Sequence, residues 1–368
     1  MVTPLQQRIV FRTDASVQIG TGHVMRCLTL ADALRDRGAE CLFISRPHQG
    51  HLLDTIAERG HQVMALPTRE NLADYPADFA HAHWLGTDQA TDSADTLLVM
   101  NGTTVDWLVV DHYALDHRWE QALRPHCRQL MVMDDLADRS HDCDLLLDPS
   151  LGRTPADYAH LTPPTATLLL GPQYALLRPE FARLRDESLA RRASPRLEHL
   201  LITMGGVDKD NATGAVLDAL DSCTLPPDLR ITVVMGQHAP WLAQVKERAA
   251  RMNRPVQVLA GVRDMARLMA NSDLAIGAAG GTSWERCCLG LPAIQLVLAD
   301  NQREAAVAFS ALGAAESLAV QSDLSQTLPP LLHALQPDRL RALSDSAAHI
   351  CDGRGTPKAV ELLLRKEQ

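Results

Sequence analysis

The sequence predicts an α/β protein built from two doubly wound, Rossmann-like domains in tandem. Three observations carry this. Short apolar runs alternate with helical stretches in two separate series, the signature of parallel sheets with crossover helices. Within the first series Asp14, Asp111, Asp134, Asp135 and Asp148 all fall at the C-terminal ends of apolar runs. That edge of an open parallel sheet is where ligands bind. Each half also sets a glycine-containing turn directly before a helix, Gly20-Thr21-Gly22 in one and Gly280-Gly281 in the other. A length of 368 residues fits two domains better than one.

The first series begins with a strand at Arg8–Phe11, with Arg12-Thr13-Asp14 at its tip. Val24, Cys27, Leu28, Ala31 and Leu34 then follow helical spacing, and Gly38 supplies a stop. Residues 40–45 read as a strand, 50–59 as a helix stopped by Gly60, and HQVMAL as a third strand. Residues 69–95 are polar and carry no assignable pattern. A strand follows within 104–113, a helix over 117–127, and strands in QLMVMDD and CDLLLDPS. The remaining stretch to residue 196 contains six prolines and the charged run RLRDESLARR, and reads as a connection between domains.

In the second series HLLITMGG is a strand entering a turn at Gly205 and Gly206, followed by a helix at 212–220. Strands at LRITVVMG and VQVLAG alternate with helices at 241–252 and 263–270. Leu274–Ile276 end a strand before the glycine turn. Trp284, Cys287, Cys288 and Leu291 mark one face of a helix beginning near Thr282. A helix over 302–312 and a helical tail from 337 to 365 complete the chain. The expected division is a first domain at 1–170, a linker at 171–196, and a second domain at 197–368 that keeps the C-terminal helix. A ligand is expected in the cleft between the halves, because domain interfaces favour small-molecule sites.

Composition narrows the function. The net charge of −10 argues against general nucleic-acid binding. An anionic substrate would need local attraction, for which Arg12, Arg26 and Arg263 are candidates. The eight cysteines form no CxxC pair and read as small buried hydrophobes in a reducing compartment. The N-terminus lacks a signal-peptide pattern, and no apolar run is long enough to span a bilayer. The expectation is a cytoplasmic monomer with no membrane partner.

His23 is the most informative single residue. It follows Gly20-Thr21-Gly22 at a helix start, where an imidazole stays neutral and can take a proton near neutral pH. Its bland alternative is a capping or core histidine. Asp14 and Asp135 are the carboxylates considered as its helpers. Tyr113 closes a strand and could hydrogen-bond a sugar, or pack as an edge aromatic. Asn301 and Gln302 follow the AIQLVLAD strand at a polar tip, or simply form a cap turn. Glu285 sits in a first helical turn, where a carboxylate can reach a ribose diol. His51 and His61 are read as solvent-facing. No HExxH, DxD, GxSxG or P-loop motif is present, so no metal or cofactor is called for. The Gly20–Gly22 pair lacks the third glycine of a dinucleotide fingerprint.

Taken together, the runs FRTDASVQIGTGHVMRCLTLA, VVDHYALD, VMDDLADR, TMGGVDKDN and AIGAAGGTSWERCCLGLP followed by LADNQ span nearly the whole chain. In that order they resemble the UDP-sugar hydrolases of pseudaminic acid biosynthesis, which act on UDP-2,4-diacetamido-2,4,6-trideoxy-β-L-altropyranose. The second-half pattern is shared more widely, with GT-B glycosyltransferases and spore-coat polysaccharide proteins. The resemblance implies a GT-B fold, two Rossmann-like domains facing across a cleft, and a metal-independent reaction on a UDP-sugar. It makes His23 catalytic and assigns substrate contact to Tyr113 and Asn301, with Asp14, Gly22 and Gln302 beside them. UDP would be held by Gly205, Gly206, Gly280, Gly281, Thr282 and Ser283, with Glu285 on the ribose. Residues 69–104 and the linker look longer than in compact members. A glycosyltransferase, a UDP-sugar epimerase and a non-catalytic nucleotide-sugar sensor are the alternatives.

Overall fold

A computed structural model describes residues 6–69, 79–319 and 323–365. It divides into two compact units, one formed by Met1–Leu176 with Gly355–Gln368 and the other by Leu177–Arg354. The first contains strands β1 (Arg8–Thr13), β2 (Glu40–Ser45), β3 (Gln62–Ala65), β4 (Val105–Asp111), β5 (Cys127–Met133), β6 (Leu145–Asp148) and β7 (Thr167–Leu170). They form one parallel sheet in the order β3-β2-β1-β4-β5-β6-β7. Successive side chains of a strand leave on opposite faces. Ile9 and Phe11 therefore join Trp107, Val109, Met131 and Met133 in one core. Val10 joins Leu108, Val110, Leu130 and Val132 in the other. Burial on both faces explains why these strands read as continuous apolar runs.

The second unit holds β8 (His199–Thr203), β9 (Arg230–Met235), β10 (Val256–Ala260), β11 (Leu274–Ala278), β12 (Ala293–Val297) and β13 (Glu316–Ala319). Its sheet is also parallel, in the order β10-β9-β8-β11-β12-β13. Each sheet thus has a point where the winding reverses, between β1 and β4 in the first and between β8 and β11 in the second. The loops at those two points carry the candidate site residues.

Several elements differ from the sequence reading. The stretch read as a connection supplies β7 to the first sheet and a helix, Pro179–Arg192, to the second unit. The helix Gly355–Leu363, expected with the second half, belongs to the first unit. Ala359, Val360 and Leu363 join the core that Leu28 and Leu34 of the helix Gly22–Arg35 also line, and Trp107 Nε1 donates to the Leu363 carbonyl at 2.8 Å. The tail is two helices, Pro337–Ile350 and Gly355–Leu363, rather than one.

The unassigned region holds a helix, Gln89–Met100, capped by Asp88 accepting from the Thr91 N–H at 2.7 Å. Its pattern misleads because, apart from Met100, the residues it buries are polar: Asp92, Ser93, Asp95 and Thr96. The same region holds a single 3-10 turn at Ala82–Leu85, and residues 70–78 lie outside the described residues. His61, read as solvent-facing, is buried, with Nε2 2.8 Å from Asp32. Seven of the eight cysteines are buried. Among the described residues no helix is long and apolar enough to cross a membrane.

Candidate active site

In the first unit the chain leaves β1, turns through Ser16–Gly20 and enters the helix Gly22–Arg35. Gly20 adopts φ +81°, which a glycine tolerates best, and a Cβ at Gly20 or Gly22 would meet open space. His23 lies in the first helical turn and is 8% exposed. Thr13 of β1 pairs with Asp111 of β4, so the register brings the Asp111 carboxylate beside that helix start. His23 Nδ1 is 2.6 Å from Asp111 Oδ1. Asp111 is fully buried and also accepts from Arg26 Nε at 2.6 Å and Nη2 at 2.7 Å. Burial works to raise its pKa, but Arg26 and His23 outweigh it and hold the carboxyl well below the usual range. An ionised Asp111 can only accept, so Nδ1 carries a proton, and in the neutral imidazole Nε2 is the atom with the lone pair.

Arg26 continues the network. Its Nη1 donates to both oxygens of Asp135, at 2.9 and 2.7 Å, and the Tyr113 hydroxyl donates to Asp135 Oδ2 at 2.6 Å. The Tyr113 ring meets His23 edge-on with centroids 4.5 Å apart. Trp84 stacks on Tyr113 at 5.7 Å, and His81 packs on Trp84 at 4.3 Å. The dyad therefore lies against an aromatic wall.

Four expectations for this unit change. The carboxylate serving His23 is Asp111; Asp135 acts one step away through Arg26, and Asp14 does not touch the ring. Asp14, expected to contact substrate, is fully buried with both oxygens engaged. Oδ1 accepts from Arg12, Ser45 and the Arg46 N–H, and Oδ2 from Arg12, with His112 Nε2 3.2 Å away. Arg12 and Arg26, offered as local attraction for an anion, are consumed by carboxylates; Arg12 also donates to Asp92 at 3.1 and 2.8 Å. The Tyr113 hydroxyl, expected on a sugar, already donates to Asp135.

In the second unit Gly205 ends the β8 turn at φ +87° with open space where its Cβ would be. Gly206 lies so close to Gly236 that a Cβ on Gly236 would overlap the Gly206 carbonyl oxygen. Asp208 then accepts from the N–H groups of Ala212 and Thr213 at 2.8 and 3.0 Å, fixing the next helix. After β11, Gly280 and Gly281 likewise have room, with only Gln302 Nε2 at 3.8 Å from a Cβ on Gly280. Gln302 pins the neighbouring loop by accepting from the Leu298 N–H at 3.0 Å, while Asn301 is exposed in the turn Asp300–Gln302. Thr282 and Ser283 face the other way. Thr282 Oγ1 accepts from Arg286 Nη1 at 3.2 Å, and Ser283 Oγ accepts from Arg286 Nη2 at 2.9 Å and Gln295 Nε2 at 3.2 Å. Glu285 stands in the first turn of the helix Thr282–Cys288. Burial pushes its carboxyl up to about 7 against the pull of Arg178, whose Nη2 is 3.8 Å away, and Arg286.

Residues 199–362 match the glycosyltransferase family 28 C-terminal domain. Among solved structures, MurG of Acinetobacter baumannii aligns over 97% of this chain and 99% of its own, at 16% identity and a TM-score of 0.68. The fold is GT-B. An uncharacterized protein of Methanocaldococcus jannaschii is 27% identical over 81% of this chain and 57% of its own length, so this chain spans little more than half of that relative. The UDP-2,4-diacetamido-2,4,6-trideoxy-β-L-altropyranose hydrolase of Campylobacter jejuni is 24% identical over 72% of this chain and 82% of its own.

Within this GT-B chain the sequence reading missed Asp111 as the partner of His23, offered Arg26 only as an attractor for an anion, and missed Trp84, Arg178 and Arg286 as site residues. Asp111 was visible as a strand-end carboxylate, but its partner depends on the β1–β4 register. Trp84 stands in a polar stretch with no periodic signal. Arg286 reads as an ordinary helix surface residue until its burial is seen. Among the described residues no cluster of three or more His, Cys, Asp or Glu side chains could hold a metal.

Proposed function

We propose that this protein hydrolyses a UDP-sugar, UDP-2,4-diacetamido-2,4,6-trideoxy-β-L-altropyranose, to UDP and the free 2,4-diacetamido-2,4,6-trideoxy-L-altrose. The observation that carries this reading is the 2.6 Å pair of His23 Nδ1 with a buried, ionised Asp111. It leaves Nε2 as a general base of fixed tautomer. Water loses a proton to Nε2 as its oxygen bonds to the anomeric carbon. The bond from that carbon to the diphosphate oxygen breaks on the opposite side, UDP leaves as an anion, and the configuration inverts. Asp111 stabilises the imidazolium that forms, as the buried carboxylate of a catalytic triad does. UDP is already a good leaving group, so no carboxylic acid is assigned to protonate it, unlike the usual inverting glycosidases.

The diphosphate is assigned to the turns of Gly205-Gly206 and Gly280-Gly281; at Gly205, Gly280 and Gly281 no side chain blocks approach of the backbone. Thr282 and Ser283 shape that turn from inside. Glu285 is assigned to the ribose hydroxyls, which donate hydrogen bonds to its carboxylate when it is ionised. Gly22 leaves room beside His23, and Asn301 and Gln302 are assigned to the sugar end. The C. jejuni hydrolase similarity supports the choice of substrate. The family 28 match favours a second reading, in which the same sugar passes to an acceptor hydroxyl in place of water.

The test is UDP release by the purified protein, given the altropyranose UDP-sugar in EDTA with no acceptor, with NMR of the sugar product. UDP and free sugar of inverted anomeric configuration are expected. UDP binding without turnover would refute hydrolysis in favour of transfer. His23→Ala is expected to lower kcat about 100- to 10,000-fold, with UDP affinity within about twofold of the wild type. Unchanged turnover would remove His23 from the mechanism.

A further inference from the structure

Arg286 is a buried cation with no ion pair among the described residues; the adjacent Glu285 is the carboxyl whose charge reaches it. Arg286 is 1% exposed, and no Asp or Glu oxygen among the described residues lies within ion-pair distance of it. Its neighbours are neutral oxygens of the turn after β11: Ala278 O at 2.9 Å, Ser283 Oγ at 2.9 Å and Thr282 Oγ1 at 3.2 Å. Its Nε has no hydrogen-bond partner. Burying a charge in this way is costly, and buried charges are ordinarily paired with an opposite charge. Desolvation lowers the guanidinium pKa only to about 10, so the group stays cationic at neutral pH.

The local backbone is shaped around this cation. A Cβ on Gly277 would come 2.7 Å from Arg286 Nη1 and 2.7 Å from the Thr203 carbonyl oxygen, so only glycine lets the guanidinium lie under the turn. In the same turn Gly280 and Gly281 are open. The guanidinium is thus bonded to residues on both flanks of the two open glycines, Ala278 before them and Thr282 and Ser283 after them. In a chain of net charge −10, with Arg12 and Arg26 neutralised by carboxylates, this cation is bonded to the residues of the glycine turn itself.

We propose that Arg286 is a positioning residue that makes the glycine turn a seat for the diphosphate of a nucleotide, setting a preference for diphosphate over monophosphate over nucleoside. This rests on the reading of the turn as a phosphate site. Arg286 acts through the backbone and without touching the ligand: it holds Ala278, Thr282 and Ser283 in place, and its charge offsets the anion across the turn. A charge effect grows with ligand charge, whereas a purely structural effect weakens all nucleotides alike.

The experiment is calorimetric titration of UDP, UMP and uridine into the wild type, Arg286→Lys and Arg286→Gln, with circular dichroism to verify folding. The wild type is expected to bind UDP at least about fivefold tighter than UMP, and UMP at least about fivefold tighter than uridine. Arg286→Gln keeps an amide donor but loses the charge. It should weaken UDP about 10- to 100-fold, UMP less, and uridine by no more than about twofold. Arg286→Lys should keep the order of preference. Equal loss for all three ligands in Arg286→Gln, or no loss for any, would overturn the proposal. A wild type that binds uridine and UDP equally would overturn it without any variant. Binding of neither by the wild type would defeat the nucleotide reading itself, and the proposal with it.

Discussion

Asp111→Asn tests the dyad at the atom on which it depends. The wild-type carboxylate takes four hydrogen bonds or close contacts, from His23, twice from Arg26, and from Cys27 Sγ at 3.5 Å. An asparagine has the same shape but no charge, and one of its ends is a donor facing donors. When Nε2 takes a proton the ring becomes a cation, with Asp111 as the anion beside it and Arg26 Nη2 3.5 Å from Nδ1. For charge centres about 4 Å apart near a protein surface, the lost attraction is about 4 kcal/mol. At 1.36 kcal/mol per tenfold, kcat should fall about 1,000-fold, inside the span of general-base contributions. Arg26 keeps its paired contact with Asp135, so the fold should survive. The assay is UDP release under saturating substrate, with a thermal melt and UDP titration on the same preparation. A folded Asp111→Asn variant with kcat within about threefold of wild type would refute the dyad.

Glu285 makes stability and binding depend on pH in opposite directions. Its carboxyl is raised to about 7 from an ordinary 4.5, so the folded chain binds that proton more tightly than the unfolded chain. Its contribution is full below about 4.5 and is lost as pH rises to 7, a change on the order of 2–3 kcal/mol, which Glu285→Gln should abolish in denaturant titrations at pH 5 and pH 8. UDP affinity should instead rise through that range as Glu285 ionises, and Glu285→Gln binding UDP as well as wild type at pH 8 would remove the ribose assignment. Gly236→Ala forces a Cβ onto the Gly206 carbonyl and should cost about 1–3 kcal/mol in chemical denaturation while weakening UDP binding; wild-type behaviour in both would show that the turn is pliable. Asp92→Asn leaves Arg12, Arg46 and Trp119 Nε1 short of an anionic acceptor and should cost about 3–5 kcal/mol, read as a lowered melting temperature.

The local pattern of apolar and glycine residues was enough to place most strands and the two glycine turns, because parallel strands buried on both faces leave an unbroken apolar run. It was enough to put His23 at a helix start and Asp111 at a strand end, since both depend on neighbours in the chain. Where burial is polar, the pattern fails: the helix Gln89–Met100 turns Asp92 and Asp95 inward to meet arginines from β1 and the residue after β2, and the apolar residues it packs on the core, Leu97, Val99 and Met100, are confined to its last turn. Pairings across the sheet were likewise beyond the sequence. Asp14, Asp111 and Asp135 look equivalent along the chain, and only the register of β1 on β4 assigns Asp111 to His23 and closes Asp14 off beneath Arg12. Arg286 is decided the same way. One residue after the expected ribose acid, it reads as surface charge, and only packing shows it turned under the glycine turn, in space that exists because residue 277 has no side chain. The sequence determines which chemical groups are available and near which turns, through interactions a few residues long. The tertiary structure decides which of them are paired, buried or left open, because those outcomes depend on contacts between strands and helices far apart in the chain.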